Sequence, residues 1–449
     1  MRRNPILRRL LTAATILAMP LGLATVPALT SPAFAGEQRF AKVAYFTQWG
    51  IYGRNYFVKN ILTSGTAGRL THINYAFANV GSDGKCFEAA VPGQGDPWAD
   101  YQRPVGAAES VDGVADADNQ ALAGNFNQLR KLKKKFPNLK VQLSIGGWTW
   151  SKFFSDAALT PASRQAFAAS CIDLFIKGNL PVLAPDTHGG PASAAGVFDG
   201  IDIDWEWPGS EGNTGNVIRP EDKQNFTKML AEFRRQLDAA GRRSHKHYSL
   251  TAFLPAAPAK IDAGFEASKV FSLLDFGTVQ GYDFHGPWEA QTNHQSAIRV
   301  PAGEPFNPDF TDESVVAAWA SRGAPRHKIV LGLPFYGHGW AGVPDVNHGL
   351  FQTSTGAAPA TFEAGSEDYK TLKTLGFPVF RDPRAGFAWL YDAKSMTFWT
   401  FDDPVVMAQK TRFIRNRELG GAMIWSLDGD DATGTLYATI DRGLRSHDD

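Results

Sequence analysis

Three acidic residues occupy every second position of one short apolar segment. Asp202, Asp204 and Glu206 alternate with isoleucine and tryptophan. Because successive side chains of a β-strand point to opposite faces, the three acids share one face. The apolar neighbours indicate a strand buried on both faces, where an unpaired carboxylate is costly. We therefore predict acid–base chemistry at this segment rather than the solvated acidic face of an edge strand.

Glu206 is the last of these acids and directly precedes Trp207 and Pro208, which end the strand pattern. In a barrel, the C-terminal end of a strand reaches the mouth where barrel enzymes carry out their chemistry. Asp204 should lie about 6 to 7 Å behind Glu206, and its charge should disfavour ionisation of Glu206. We therefore predict that Glu206 keeps a proton near neutral pH and acts as a general acid.

The segments that must position these acids alternate between strand and helix patterns. Short runs rich in β-branched and aromatic residues are separated by amphipathic stretches, as in repeated strand–helix units. Eight such runs begin near Val43, His72, Leu139, Val197, Tyr248, Phe276, Lys328 and Ala422. Helical patterns cover residues 119–135, 163–177, 221–240 and 314–321. Eight units in about 410 residues predict an α/β fold of the (β/α)8 TIM-barrel class.

The interval between the seventh and eighth predicted strands is too long for an ordinary loop. It contains a helix-like stretch at 366–375, which strand-like stretches follow. A loop of about eighty residues without secondary structure would be unusual, so we predict a small α+β subdomain over 338–398. The loops 81–118 and 184–196 are rich in glycine, proline and aspartate, and we expect them to be surface excursions.

The first 35 residues have the three parts of a secretory signal peptide. Arginines precede an apolar stretch, and Ala33, Phe34 and Ala35 form a small-x-small cleavage signal. Two threonines and a proline interrupt the apolar stretch, which argues against a membrane anchor. We therefore predict a signal peptide over 1–35, a secreted, extracellular product, and a catalytic domain over 36–449.

Charge and cysteine content narrow the possible classes of protein. The chain has 45 basic and 45 acidic residues, and loss of a leader with four arginines and no acids leaves 41 basic residues. Acidic residues are then in excess, whereas a nucleic-acid-binding protein would have an excess of basic residues. Cys86 and Cys171 could form a disulfide outside the cytoplasm or remain buried thiols, and both alternatives stay open. No metal-ligand spacing is present, so we expect neither a metal nor a cofactor.

The acidic segment resembles the signature of glycoside hydrolase family 18. Asp199, Asp202, Asp204 and Glu206 match its pattern D-x-x-D-x-D-x-E in full. Further resemblances occur at Ser144–Trp148, at Tyr282 with Asp283, and at Trp425. They extend from about Val43 to Leu444, in the family's order, and include the long interval before the last strand.

The resemblance implies a retaining reaction in which the substrate supplies its own nucleophile, the oxygen of its 2-acetamido group. Glu206 would protonate the leaving sugar and later activate water. Asp204 would orient the acetamido N–H and balance the charge of an oxazolinium intermediate. Tyr282 would hold the acetamido oxygen, and Asp283 would help to position the group. The resemblance therefore implies a chitinase that cleaves β-1,4 linkages between N-acetylglucosamine units.

Other residues receive supporting roles by the same resemblance. Asp202 would form a buried network with Tyr45 and Ser144 and would take up charge or a proton as Asp204 changes partner. Asp199 would support the strand.

The substrate-binding candidates are mainly aromatic. Trp425 resembles the tryptophan that forms the floor under the reacting sugar. Trp148 and Trp288 resemble tryptophans on the leaving-group side, although both could also pack at the rim. Gly147 is a further candidate, for which close backbone packing is a better explanation than a sugar contact.

Two alternative functions use the same barrel. A chitin-binding lectin would have lost the terminal acid, whereas Glu206 is present; an endo-β-N-acetylglucosaminidase would trim N-glycans with the same catalytic residues. The chain departs from many family members at Gln280 and His338, which leaves the detailed sugar contacts open. As partners we expect chitin and chitooligosaccharides for a monomeric chain, and neither nucleic acid nor a membrane anchor.

Overall fold

The computed structural model describes residues 40–305 and 310–445. The predicted signal peptide lies outside these residues. Eight parallel strands form a closed barrel, because strand one pairs with both strand two and strand eight. The barrel strands are Ala41–Thr47, His72–Val80, Lys140–Gly146, Gly200–Asp204, Ser249–Leu254, Phe276–Val279, Ile329–Pro334 and Gly421–Trp425. The predicted (β/α)8 class is confirmed, although strand four is shorter than its apolar pattern and ends two residues before Glu206.

Helices surround the barrel, and some of them begin at a side-chain cap. The Thr160 hydroxyl oxygen accepts the backbone N–H of Ser163, and Thr311 caps Ser314 in the same way. The α-helices are Val58–Thr63, Gly124–Lys135, Gly147–Trp150, Phe154–Ala158, Pro161–Cys171, Asp222–Ser244, Pro258–Gly264, Ala267–Leu273, Asp312–Ser321, Tyr369–Leu372, Pro404–Asn416 and Thr435–Gly443. Among the residues described, no helix has both the length and the apolar character needed to cross a membrane.

One helix begins five residues later than its sequence pattern predicts. The pattern starts at residue 119, whereas the helix starts at Gly124, which has a φ of 58°. A Cβ atom at this position would lie 2.8 Å from the carbonyl oxygens of Ala99 and Asp100. Glycine is therefore required at the turn into the helix.

The interval between strands seven and eight forms a second, antiparallel sheet. Its strands are Tyr336–Ala341, Gly356–Ala357, Ser366–Asp368, Val379–Asp382, Phe387–Asp392 and Thr397–Phe401. A separate apolar cluster that includes Trp340, Trp389 and Phe398 packs within it. The helix-like stretch at 366–375 is mostly not helical, because its first residues pair with Tyr336–Ala341 and only Tyr369–Leu372 forms a helix. We call the segment from Tyr336 to Phe401 the insertion.

The loop 81–118 is more than a surface excursion. Cys86 lies in a short strand and forms a disulfide with Cys171, which settles the alternative left open by the sequence. The Asp100 carboxylate is buried, and it accepts hydrogen bonds from Gln48 and Tyr75. The sequence-based expectation failed because these partners are distant in sequence: Gln48 directly follows strand one, and Tyr75 lies in strand two. A loop without periodicity can still be buried.

Candidate active site

A cavity of about 490 Å³ opens at the C-terminal ends of the barrel strands. The predicted site residues that line it are Tyr45, Trp148, Asp204, Glu206, Tyr282, Asp283 and Trp425. Lining residues that the sequence did not single out are Gln48, Trp49, Phe77, Trp150 and Phe253. Asp202 and Ser144 lie beneath the cavity, inside the barrel.

Asp202 is completely buried and has hydrogen-bond donors on three sides. The hydroxyls of Tyr45 and Ser144 each lie 2.8 Å from its Oδ2 atom, and the hydroxyl of Thr251 lies 2.6 Å from Oδ1. These donors come from strands one, three and five. Burial raises the pKa of Asp202, and the three hydrogen bonds act against that rise. The network holds this carboxyl beneath the cavity rather than at its surface.

Asp204 is also buried, but its environment is different. Its Oδ1 atom has no hydrogen-bond partner within the described part of the chain. Burial, followed by the charges of Glu206 and Asp202, raises the pKa of Asp204 well above its ordinary value. A buried polar atom without a partner is costly, so this atom is available to a donor on a bound ligand.

The backbone of Glu206 is fixed just beyond strand four. Its N–H donates to the Ser151 hydroxyl at 2.8 Å, and the Asn216 amide donates to its carbonyl oxygen at 2.9 Å. Burial, followed by the charge of Asp283, raises the pKa of Glu206 to about 8, while Lys260 acts against the rise. We predicted the raised pKa but attributed it to Asp204. The charge of Glu206 acts, after burial, to raise the pKa of the more deeply buried Asp204.

The pH dependence of hydrolysis should reflect the raised pKa of Glu206. A general acid works in its protonated form, so kcat/KM should fall as pH rises through about 8. Lys260→Met should move this alkaline limb to higher pH, because the cation that favours ionised Glu206 is lost. Lys223→Met, in which a partly exposed lysine of a neighbouring helix is replaced, is the matched control. An unchanged limb in the Lys260 variant would contradict this account of Glu206.

Tyr282 and Asp283 follow the end of strand six. The Tyr282 ring is buried and stacks on Phe253, with 6.3 Å between the ring centroids. Asp283 has a φ of 56°, and its Oδ1 atom accepts hydrogen bonds from the hydroxyl of Tyr336 and from Nε2 of His338. Both of these donors lie in the first strand of the insertion. The sequence did not predict that contact.

Aromatic rings form one side of the cavity. Trp425, at the end of strand eight, stacks on Phe77 with a centroid separation of 5.8 Å. The Tyr45 ring meets the Trp425 indole edge-on at 5.1 Å. These contacts fix a flat indole face in the cavity wall, which suits stacking against a sugar ring.

Trp148 and Trp288 are strongly exposed, at 51% and 61%. Trp148 lines the cavity, whereas Trp288 lies outside the set of lining residues and has its ring 5.1 Å from the ring of His338. Gly147 has a φ of 73°, and a Cβ atom there would lie 2.6 Å from the Phe77 ring. The geometry thus favours the packing explanation for Gly147.

Asp199 lies away from the cavity. Its carboxylate accepts the N–H of Val141 at 3.0 Å and pairs with Lys133 at 2.7 Å. These bonds join strands three and four to a helix.

One buried cluster has the composition of a metal site. Donor atoms of His285, His294 and Glu304 lie within 4.8 Å of one another. Nδ1 of His294 accepts the N–H of Ala297, so Nε2 of that neutral ring carries the hydrogen and is not free to bind a metal. Although burial acts to lower it, the pKa of His285 is raised to about 9 by Glu289 and Glu304. His285 thus lies between two carboxylates, while its Nε2 atom, Nε2 of His294 and Oε2 of Glu304 have no hydrogen-bond partner among the described residues.

Comparisons with known proteins agree with this geometry. A profile described as "Glycosyl hydrolases family 18" matches residues 41–430. Chitinase C of Streptomyces lividans is 41% identical, over 88% of this chain and 58% of its own length. Chitinase A1 of Niallia circulans is 36% identical, over 91% of this chain and 60% of its own length. The chain thus spans about three fifths of these relatives.

A solved structure extends the likeness to three dimensions. The catalytic domain of psychrophilic chitinase B from Arthrobacter TAD20 is 46% identical and superposes with a TM-score of 0.86. The match covers 91% of this chain and 96% of that structure. From the profile match, the barrel and the acidic segment of strand four, we conclude that the chain belongs to glycosyl hydrolase family 18.

Proposed function

We propose that the chain is a chitinase that hydrolyses β-1,4 linkages between N-acetylglucosamine units. The main observation in support of the proposal is the buried Oδ1 atom of Asp204, which has no hydrogen-bond partner among the described residues. Asp204 and Glu206 line the same cavity. An acetamido N–H of the substrate is a donor that would satisfy it. The chitinase names of the similar proteins support the same substrate.

The proposed reaction retains the anomeric configuration. Glu206, protonated because of its raised pKa, gives its proton to the leaving oxygen. The acetamido oxygen attacks the anomeric carbon and forms an oxazolinium ion, and the Asp204 carboxylate balances the positive charge. Tyr282 holds the acetamido oxygen in this proposal, and Trp425 supports the sugar ring. Glu206 then removes a proton from the water that opens the intermediate.

A polymeric substrate is supported by the aromatic surface. Trp49, Trp98 and Trp150 border a second cavity. It shares Gln48, Trp49, Gly93 and Trp150 with the first. Continuous aromatic platforms suit a linear chain of sugars better than a branched N-glycan.

The products formed from chitohexaose test the proposal. NMR in the first minutes should show the β-anomer at the new reducing end, and competitive inhibition by a thiazoline analogue of the oxazoline is expected. Cellohexaose and fully deacetylated chitosan, which lack the acetamido group, should be nearly inert. An initial α-anomer would exclude the mechanism, and release of N-glycans from a high-mannose glycoprotein in preference to chitin cleavage would exclude the substrate.

Loss of either exposed tryptophan should have its largest effect on the hydrolysis of crystalline chitin. Trp148→Ala and Trp288→Ala should reduce hydrolysis of crystalline chitin more than hydrolysis of soluble oligosaccharides, because a chain lifted from a crystal must be kept from re-annealing. On soluble substrate, loss of one platform should weaken binding by about 1 kcal/mol. Equal losses on both substrates, measured as initial rates, would show that these residues only pack at the rim.

We also infer that the protein is secreted. The leader-like pattern over 1–35 and the disulfide between Cys86 and Cys171 both support an oxidising, extracellular compartment. Insoluble chitin would be encountered there.

A further inference from the structure

The insertion brings His338 into contact with Asp283, which lines the cavity. His338 lies in the strand Tyr336–Ala341 and is 6% exposed. Alternate residues of a strand share a face, and accordingly Tyr336 and His338 both contact Asp283. Between them, a Cβ atom on Gly337 would lie 2.5 Å from the carbonyl oxygen of Thr400. The absence of a side chain at Gly337 lets this strand pack closely while its neighbours reach Asp283.

Both ring nitrogens of His338 face hydrogen-bond acceptors. Nε2 lies 2.8 Å from Oδ1 of Asp283, and Nδ1 lies 3.1 Å from the carbonyl oxygen of Gly365. A carbonyl oxygen has no hydrogen to donate, and neither has an ionised carboxylate. With Asp283 ionised, each nitrogen must carry a hydrogen for both bonds to form. An imidazole with two N–H groups is a cation.

The other titratable groups near this ring do not replace Asp283 as its partner. On the adjacent strand, the carboxylate of Glu367 accepts from a threonine, and that of Asp368 pairs with an arginine. Tyr336 presents a hydroxyl whose pKa is raised by burial, and Trp288 contributes only its ring edge. Among the described residues, Asp283 is thus the carboxylate that faces the imidazole.

We propose that His338 is a positioning residue that, as an imidazolium ion, holds the Asp283 carboxylate in its orientation beside Glu206. The inference rests on the proposed chitinase function. Asp283 lines the cavity, and the hydroxyl of Tyr336 alone would leave it free to rotate. Loss of the cation would also leave the charge of Asp283 uncompensated at the reacting centre. The effect should appear mainly in kcat, because the acetamido group would bind but would be poorly placed.

Four variants and one spectroscopic measurement test the role. His338→Gln should lower kcat on chitohexaose by about 10-fold or more with little change in KM. His338→Arg, which restores a permanent cation with donors, should recover most of that loss. His348→Gln is the matched control, because this histidine of the insertion stacks on Phe380 instead. In ¹⁵N spectra of wild type, both ring nitrogens of His338 should be protonated, whereas Asp283→Asn should leave one protonated.

The outcomes separate this inference from the proposed function. A folded His338→Gln enzyme with wild-type kcat would overturn it, as would a neutral ring in the active wild-type enzyme or an arginine variant as impaired as the glutamine variant. If the glutamine variant does not fold, the arginine variant and the spectra decide. Failure of wild type to cleave any chitooligosaccharide would instead refute the proposed function, and the spectra would still report the charge on His338.

Discussion

Glu206→Gln should lower turnover on chitohexaose by at least about 10²-fold, because removal of a general acid eliminates that contribution to the rate. The amide has nearly the same shape as the carboxyl group but cannot donate a comparable proton. The backbone of residue 206 should stay in place, since Ser151 and Asn216 hold its N–H and carbonyl oxygen rather than its side chain. Folding and binding should therefore remain close to wild type.

Single-turnover kinetics and calorimetric titration with chitohexaose would measure the two effects separately. Glu211→Gln replaces an exposed residue close in sequence and should leave both turnover and binding unchanged. Wild-type turnover by the Glu206 variant would refute its assignment as the acid. A parallel loss of binding and thermal stability would indicate a structural role.

Asp204→Asn should reduce kcat by about 10² to 10³-fold, the range typical for loss of one preorganised electrostatic group. An amide keeps an oxygen that can accept the acetamido N–H, but it cannot balance the charge of the oxazolinium ion. The carboxyl of Asp204 is buried, with its pKa raised by burial and by its acidic neighbours. The variant should therefore be at least as stable as wild type near neutral pH, since a buried acidic cluster loses one carboxyl group.

Asp199→Asn provides the comparison within the same segment. Its carboxylate serves Val141 and Lys133, so the variant should lose stability while kcat stays near wild type. Thermal unfolding and steady-state kinetics on both variants would show whether Asp204→Asn mainly lowers kcat while Asp199→Asn mainly lowers stability. Equal kcat losses in the two variants would mean that the segment responds as a structural unit, and the separate role of Asp204 would be rejected.

The acidic strand illustrates how far the sequence alone can lead. Alternation was sufficient to place Asp202 and Asp204 on one buried face and Glu206 at the mouth. It could not distinguish the two aspartates, because the donors to Asp202 come from Tyr45, Ser144 and Thr251 on three other strands. Which acid remains without a partner is a property of the closed barrel.

The contact between His338 and Asp283 shows a second limit. The two residues are 55 positions apart, and their approach depends on the pairing of the insertion's strands. Neither residue carries a periodic pattern that would signal the contact. The aromatic lining residues Trp49 and Phe77 were missed for a similar reason: aromatic residues in barrel segments are usually core, and only their position at the mouth distinguishes them.

The continuity between strand seven and the insertion restricts how the barrel can be re-engineered. Strand seven ends at Pro334, and the insertion begins two residues later at Tyr336. Replacing the whole insertion with a short turn would remove both hydrogen-bond donors from Asp283. A chimera that exchanges this region with another family member should keep the strand Tyr336–Ala341 and change only the part of the insertion beyond Ala341. Exchange of that part could then vary the substrate range without disturbing the residues at the reacting centre.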